Sequence, residues 1–176
     1  MGNRLLQVKS PVAALLWAAA AIIVLVYFIR VEILYKTLDP RRVGVIEYTS
    51  DVCEQMNVSS ALALSIFTAE TKLKPGRKTW EPVVRAYAYN VPQILYSTAY
   101  GEGFRGEPDE LLDYHVAIWW AIKHIKTLLY VYDNDICKVI LAYNAGDCVS
   151  GNYKYLDKVL AVYANYYPAF ECEASK

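Results

Sequence analysis

The sequence predicts an all-α domain that follows one long apolar segment near the N-terminus. Three observations favour this fold class. Residues 11–29 include no charged side chain and are apolar on every face of a helix. Downstream, apolar residues recur at a period of about 3.6 residues, and capping and helix-stopping residues divide these stretches into separate helices. The 176 residues suffice for one domain of ordinary size with one appended segment.

Residues 11–29 are predicted to be a transmembrane anchor, because a helix of about 20 apolar residues can cross the hydrocarbon core of a bilayer. A cleavable signal peptide with Arg4 and Lys9 at its basic start is the closest alternative. However, the small residues Ala18–Ala21 lie in the middle of the segment, and Val26-Tyr-Phe-Ile29 contains no small-residue cleavage site. A buried core helix is a third interpretation. Basic residues stand on both sides of the segment, so charge does not decide its orientation.

The anchor divides the chain into four segments. Residues 1–10 are a basic tail, 11–29 the anchor, 30–46 a link and 47–176 the folded domain. Residues 51–176 hold 12 Lys and Arg against 15 Asp and Glu, a formal net charge of −3. This negative balance argues against nucleic acid as a partner.

Capping and stop signals set the predicted elements of the domain. Asn57-Val-Ser-Ser60 caps the second helix, and Lys74-Pro75-Gly76 ends it. Pro108 opens the longest helix, Asp133-Asn-Asp135 interrupts the pattern, and Asn152 caps the last helix. In chain order, the predicted elements are a helix over 47–56, a helix over 61–71, a loop over 76–91, a helix over 92–100, a helix over 108–132, a helix over 136–143 and a helix over 152–167.

Four cysteines, Cys53, Cys137, Cys148 and Cys172, form neither a CxxC motif nor a Cys/His zinc pattern. An even number in an exported domain predicts two disulfides, for which three pairings exist. If the last two helices run antiparallel, Cys172 returns near Cys137 and leaves Cys53 for Cys148. Reduced thiols in the core are the alternative.

Glu70 is the first candidate for chemistry. It ends the apolar stretch Ala61-Leu-Ala-Leu-Ser-Ile-Phe-Thr-Ala-Glu70, directly before the helix stop. Partial desolvation of a carboxyl group favours its neutral form and raises its pKa. A neutral carboxylic acid is what protonation of a glycosidic oxygen requires. The alternative is a solvated Glu at a helix C-terminus, where the helix dipole disfavours negative charge.

Three stretches carry motifs that occur together in one family. Glu70-Thr-Lys-Leu-Lys-Pro75 is similar to Glu-Ser-x-Phe-x-Pro, and Gln93-Ile-Leu-Tyr-Ser-Thr-Ala99 is similar to the end of Gly-Leu-Met-Gln-Ile-x-Pro-x-Thr-Ala. Ala142-Tyr-Asn-Ala-Gly146 matches Ala-Tyr-Asn-Ala-Gly in full. By these motifs the chain resembles the soluble lytic transglycosylase family, whose fold goose-type lysozymes loosely share. The resemblance spans residues 47–167.

The resemblance implies a lysozyme-like helical fold and gives five residues a role. Glu70 matches the catalytic acid/base. Gln93 matches a glutamine that contacts the substrate. Tyr143 matches a tyrosine beside the catalytic carboxyl, and Asn144 belongs to the helix end that shapes the cleft. Thr71 replaces the usual serine but keeps its hydroxyl, so it is also expected to contact the substrate.

The chain departs from the family pattern between the first two motifs. Asn90-Val-Pro92 stands where the family has Gly-Leu-Met, which puts the floor of the cleft in doubt. Glu70 and Gln93 lie 23 positions apart, a few more than is usual in the family. This spacing suggests an insertion within residues 76–90.

The resemblance also implies the reaction and its setting. The family cleaves the bond between N-acetylmuramic acid and N-acetylglucosamine in peptidoglycan glycan strands and leaves an anhydro ring. Glu70 would act first as acid and then as base, with no metal or organic cofactor. The expected location is the inner membrane, through one N-terminal helix, with the domain facing the periplasm. Partners in a secretion machine or in phage assembly are compatible with this setting.

Two other interpretations remain open at this stage. The first is a muramidase on the same scaffold, in which Glu81 or another acid activates water. The second is a catalytically inactive module that binds glycan or supports assembly at the membrane, which the altered segment Asn90-Val-Pro92 motivates.

Overall fold

The computed structural model describes residues 14–26, 39–149, 151–170 and 172. Contacts between Cα atoms divide the chain into two compact units, Met1–Asp39 and Pro40–Lys176. In the first unit, residues 14–26 are helical and their side chains are exposed. The rest of the predicted anchor and the basic tail lie outside the described residues. Among the residues that are described, no helix has both the length and the hydropathy needed to cross a membrane.

Two helices open the second unit. Helix α1 (Pro40–Met56) begins with proline, which suits the first helical position because its φ is fixed and its missing N–H is not needed there. It therefore starts inside the segment 30–46 that the sequence predicted to be a link. Helix α2 (Ser60–Thr71) follows Ser59, whose side chain accepts a hydrogen bond from the backbone N–H of Leu62 at 3.4 Å. The predicted cap is confirmed.

Helix α2 lies in the centre of the second unit. Nine of its 12 residues are buried, and it packs against α1 and against the last helix, α6 (Tyr153–Tyr163). Other elements surround α2, and a helix in such a position carries apolar residues on all of its sides. Leu62, Ile66 and Phe67 are fully buried, and each contributes about 1.5–3 kcal/mol by leaving water.

Two strands of a three-stranded antiparallel sheet lie in the segment 76–91 that was predicted to be a loop, and the third lies in the segment 92–100 that was predicted to be a helix. Its strands are β1 (Lys78–Glu81), β2 (Ala86–Tyr89) and β3 (Ile94–Leu95), in that order across the sheet. The domain is thus mostly helical rather than purely α. The loop prediction was wrong because strands of two to four residues are too short to display alternation.

Two predicted helices have different bounds in the structure. They covered 92–100 and 108–132. The elements that replace them are α3 (Tyr96–Gly101), a 3₁₀ helix (Pro108–Leu112) and α4 (Tyr114–Val131). The long helix is broken at Asp113, whose backbone is extended and whose side chain accepts a hydrogen bond from the backbone N–H of His115 at 2.8 Å. Asp113 is thus a second N-cap inside a continuous helical pattern.

The last two helices follow the prediction closely. Helix α5 (Ile136–Ala145) is capped by Asp135, and α6 is capped by Asn152; both side chains accept hydrogen bonds from backbone N–H groups. Gly146 ends α5 with a left-handed φ of +86°, a conformation that glycine adopts without steric cost. Helix α6 ends at Tyr163, earlier than predicted.

Cys137 and Cys172 form a disulfide between the start of α5 and the C-terminal segment, which confirms one predicted pair. The second predicted pair is wrong, because Cys53 and Cys148 are both free thiols. Cys53 points from α1 into the core and is fully buried. Cys148 is half-buried beyond the end of α5.

Candidate active site

Glu70 lies in the last turn of α2, where the helix ends. Lys72 and Leu73 adopt left-handed φ values of +56° and +59° directly after it, which stops the helix. The residues on either side of Glu70, Ala69 and Thr71, are buried, whereas Glu70 is only partly buried. Glu70 therefore lies at the boundary between the protein interior and solvent.

The electrostatic setting of Glu70 favours its neutral form. Burial raises the pKa of the carboxyl above its ordinary value, and the negative charge of Glu81 acts in the same direction. The hydrogen bond from Tyr155 and the positive charges of Lys158 and Arg77 lower the pKa, but the effect of burial prevails. A larger fraction of Glu70 is thus protonated near neutral pH than for a solvated Glu.

Tyr155 is the direct partner of this carboxyl. Its hydroxyl donates a hydrogen bond to Oε1 of Glu70 at 2.6 Å. Tyr155 lies in the first turn of α6 and is 8% exposed. Burial, with the charge of Glu70, raises the pKa of Tyr155 well above its usual range, so it is a donor at any physiological pH.

Tyr143 contributes a second hydroxyl near Glu70. Burial, and then the charge of Glu70, raises the pKa of Tyr143. Its hydroxyl donates a hydrogen bond to the carbonyl oxygen of Pro92 at 2.8 Å. The sequence predicted that Tyr143 lies beside the catalytic carboxyl. The structure places it close enough to interact with the charge of Glu70, but its hydrogen bond connects α5 to the loop between β2 and β3.

Asn90 holds that loop in place. It is fully buried, and its left-handed φ of +57° is one that Asn tolerates better than most residues. Its side-chain oxygen accepts hydrogen bonds from the backbone N–H groups of Gly76 at 3.0 Å and Val91 at 2.9 Å. Its side-chain nitrogen donates to the carbonyl oxygens of Leu111 and Leu112. One side chain thus joins the loop to two other segments.

Thr71 and Gln93 both bond to this loop. The hydroxyl of Thr71 donates to the carbonyl oxygen of Val91 at 2.9 Å, and Thr71 is only 3% exposed. The Thr71 hydroxyl thus connects the end of α2 to this loop, and its expected contact with substrate stays a prediction. The side-chain nitrogen of Gln93 donates to the carbonyl oxygen of Asn90 at 2.7 Å. Gln93 is half-buried, with a left-handed φ of +51°.

Asn144 is exposed in the last turn of α5, next to Tyr143 in sequence. The structure thus brings Glu70, Tyr143 and the loop that bears Gln93 together. Within the described ranges, no three His, Cys, Asp or Glu side chains are placed to hold a metal ion.

A groove of about 540 Å³ lies elsewhere, along the exposed side of α4. Its lining residues are Met56, Trp119, Lys123, Lys126, Thr127 and Tyr130. Glu70 is not among the residues that line this groove. The candidate active site is therefore assigned from the chemistry around Glu70, not from the size of a cavity.

The family comparison agrees with this assignment. The model of the transglycosylase SLT domain family matches residues 47–163, which include Glu70, Gln93, Tyr143 and Tyr155. This protein belongs to the transglycosylase SLT domain family. A comparison with curated proteins found no match.

Three residues of this SLT domain were missed by sequence reasoning as parts of the site: Tyr155, Lys158 and Asn90. Tyr155 had a weak signal, since it is the third residue after the predicted cap Asn152 in a Tyr-rich helix. Asn90 was noticed only as a departure from the Gly-Leu-Met pattern. The structure shows that Asn90 keeps the left-handed backbone that glycine favours and adds four side-chain hydrogen bonds.

Proposed function

We propose that the protein is a peptidoglycan lytic transglycosylase that cleaves the β-1,4 bond between N-acetylmuramic acid and N-acetylglucosamine and forms a 1,6-anhydro end. The observation that carries this proposal is the carboxyl of Glu70, which accepts a hydrogen bond from Tyr155 at 2.6 Å and whose pKa is raised by burial. The match to the transglycosylase SLT domain family supports the substrate class.

The proposed reaction uses Glu70 twice. In the first step Glu70 gives its proton to the bridging oxygen while the bond from C1 of N-acetylmuramic acid to that oxygen breaks. The substrate's acetamido group stabilises the positive charge that develops at C1. In the second step the Glu70 carboxylate removes the proton of the C6 hydroxyl, and O6 bonds to C1. Glu70 ends protonated and no water is consumed.

The arrangement around Oε1 suits this cycle. Tyr155 donates to Oε1, so the other carboxyl oxygen of Glu70 is the one that can carry the transferred proton. The donor remains in place when Glu70 is a carboxylate, and hydrogen bonds to a charged acceptor are stronger than those to a neutral one. Tyr155 therefore stabilises Glu70 in both protonation states and orients it.

A muramidase is the second candidate, because one further carboxyl interacts with Glu70. Glu81 in β1 is half-buried, and its charge raises the pKa of Glu70. A second carboxylate on the opposite side of the sugar ring can activate water or act as a nucleophile. In that case the product would carry a reducing end.

Product masses decide between the two reactions. Purified sacculi are incubated with the full chain, with Glu70→Gln and with Glu81→Gln, and the soluble muropeptides are measured by mass spectrometry. Anhydro ends, one water lighter than hydrolysis products, are expected from the unaltered chain and from Glu81→Gln, but not from Glu70→Gln. Reducing ends alone would reject the lyase. Equal products from Glu70→Gln would reject a catalytic role for Glu70.

A matched control is Glu54→Gln, which removes an exposed carboxyl from α1 and should release the same products as the unaltered chain. If neither the unaltered chain nor this control releases any muropeptide, the proposal gives way to an inactive module that binds glycan or supports assembly.

We also propose that residues 11–29 hold the chain at the inner membrane, with the domain in the periplasm. The apolar run of the sequence and the location of peptidoglycan support this proposal. The Cys137–Cys172 disulfide agrees with an oxidising compartment. Membrane fractions should retain the chain after an alkaline wash, and protease should degrade the domain in spheroplasts but not in intact cells. Recovery in the soluble fraction would reject the anchor.

A further inference from the structure

Lys158 connects α6 to the end of the helix that carries Glu70. Its Nζ donates a hydrogen bond to the carbonyl oxygen of Ala69, the residue directly before Glu70. The carbonyl oxygens in the last turn of a helix accept no hydrogen bond from that helix. The helix dipole also favours a positive charge beside them. Lys158 lies three positions after Tyr155, so both side chains leave the same face of α6.

Five ionisable groups act on Glu70, and they come from four parts of the domain. They are Tyr155 and Lys158 from α6, Tyr143 from α5, Glu81 from β1 and Arg77 from the segment between α2 and β1. The two cations favour the carboxylate form, and Glu81 disfavours it. Arg77 bonds through Nε to the hydroxyl of Thr79 at 3.2 Å, so it follows the hairpin. Lys158 is instead fixed to the backbone of α2 itself.

The proposed reaction makes two opposite demands on Glu70. The first step needs a neutral acid, and burial favours that form because it raises the pKa of Glu70. The second step needs a carboxylate that lives long enough to take the C6 proton, and the same burial opposes that form. The negative end of the α2 dipole opposes it further. A fixed positive charge next to the carboxyl offsets both effects.

We propose that Lys158 is a positioning residue that holds the last turn of α2 and stabilises the carboxylate form of Glu70 between the two proton transfers. This inference rests on the proposed function, since it assigns Lys158 to the second transfer. A purely structural role is the alternative, in which Lys158 only satisfies the Ala69 carbonyl and its charge is irrelevant.

Three variants of the full chain in detergent separate charge from hydrogen bonding. Lys158→Arg keeps both, Lys158→Gln keeps a donor without charge, and Lys158→Met keeps only the apolar stem. Initial rates of anhydro-muropeptide release are measured across pH. Removing the charge should raise the pKa of Glu70, so the fall in rate on the alkaline side should move to higher pH in Lys158→Gln and Lys158→Met.

The rate at the optimum should fall about tenfold in these two variants, a loss typical of weakened acid–base groups. Lys158→Arg should keep the rate and the pH curve of the unaltered chain. An unchanged pH curve in Lys158→Gln would overturn the proposal. A slow Lys158→Met with Lys158→Gln like the unaltered chain would show a structural role instead. If Lys158→Met fails to fold, the comparison of Lys158→Gln with Lys158→Arg decides.

A direct titration makes failure of this inference distinguishable from failure of the proposed function. The full chain is labelled with ¹³C at the glutamate carboxyls, and the Glu70 signal is assigned from its loss in Glu70→Gln. Its midpoint should lie at higher pH in Lys158→Gln than in the unaltered chain. An equal midpoint would reject the effect of Lys158 on Glu70, whatever product is formed. A shifted midpoint with only reducing-end products would reject the lyase and, with it, the role of Lys158 in a second proton transfer.

Discussion

The hydroxyl of Tyr155 lies 2.6 Å from Oε1 of Glu70, although the two residues are 85 positions apart in the sequence. The contact exists because α2 and α6 pack against each other, and both helices contribute buried side chains to the core, such as Phe67 and Val159. The free energy that sets this distance therefore comes from apolar burial. The hydrogen bond uses a geometry that the core has already fixed, which is the condition for a preorganised site.

Replacing Tyr155 by phenylalanine should slow the reaction roughly 10- to 100-fold, because it removes the donor to Glu70 and keeps the buried ring. The pKa of Glu70 should rise, since the hydrogen bond lowers it. Initial rates on sacculi across pH measure both effects. Tyr153→Phe is the matched control on the same helix, where the side chain is 58% exposed. Equal rates in the two variants would show that the Tyr155 hydroxyl is dispensable.

Glu70→Gln should make the protein more stable near neutral pH while it abolishes activity. Burial raises the pKa of Glu70 in the folded state, so the folded state binds the proton more tightly than the unfolded chain. The contribution of Glu70 to stability is then largest below its unfolded pKa of about 4.3 and is lost as pH rises through its folded pKa. The amide introduced by Glu70→Gln stays neutral at every pH and avoids this loss.

Calorimetry of the unaltered chain and Glu70→Gln at several pH values tests this sign. The melting temperature of Glu70→Gln should exceed that of the unaltered chain near neutral pH, and the gap should close in acid. Glu54→Gln, at an exposed position of α1, controls for the loss of a negative charge. A less stable Glu70→Gln at neutral pH would contradict the pKa argument.

Most of the helices could be predicted because their starts depend on residues that are close in sequence. Ser59, Asp135 and Asn152 each bond to the backbone at the start of their own helix, and such caps depend on neighbours within about three residues. The position of Glu70 at the end of an apolar helix could be predicted for the same reason, because the apolar stretch and the helix stop are both visible in the sequence.

Interactions between distant segments could not be predicted in this way. The sheet joins strands of two to four residues, and its pairing depends on contacts that no local pattern encodes. The bond from Tyr155 to Glu70 and the bond from Lys158 to Ala69 also link α6 to α2 across the whole domain. The structural role of Asn90 could not be predicted either, because the four partners of its side chain lie in three separate segments.

Asn90→Ala should lower the free energy of unfolding by about 2–4 kcal/mol, because buried groups that bond to the Asn90 side chain lose their partners. Asn90→Gly loses the same bonds but relieves the left-handed backbone at φ +57°, so it should be about 1 kcal/mol more stable than Asn90→Ala. Urea unfolding of both variants gives the two differences. A glycine variant less stable than the alanine variant would show that backbone strain is not the deciding effect.

The two free cysteines should differ sharply in reactivity. Cys148 is half-buried, whereas Cys53 is fully buried, and burial raises the pKa of the Cys53 thiol to about 12. Since the thiolate is the reactive form, an alkylating reagent should modify only Cys148 in the folded protein and both thiols after unfolding without reductant. Peptide mass spectrometry should find Cys137 linked to Cys172 in both samples. A peptide that links Cys53 to Cys148 would contradict this assignment, because it would require Cys53 to leave the core.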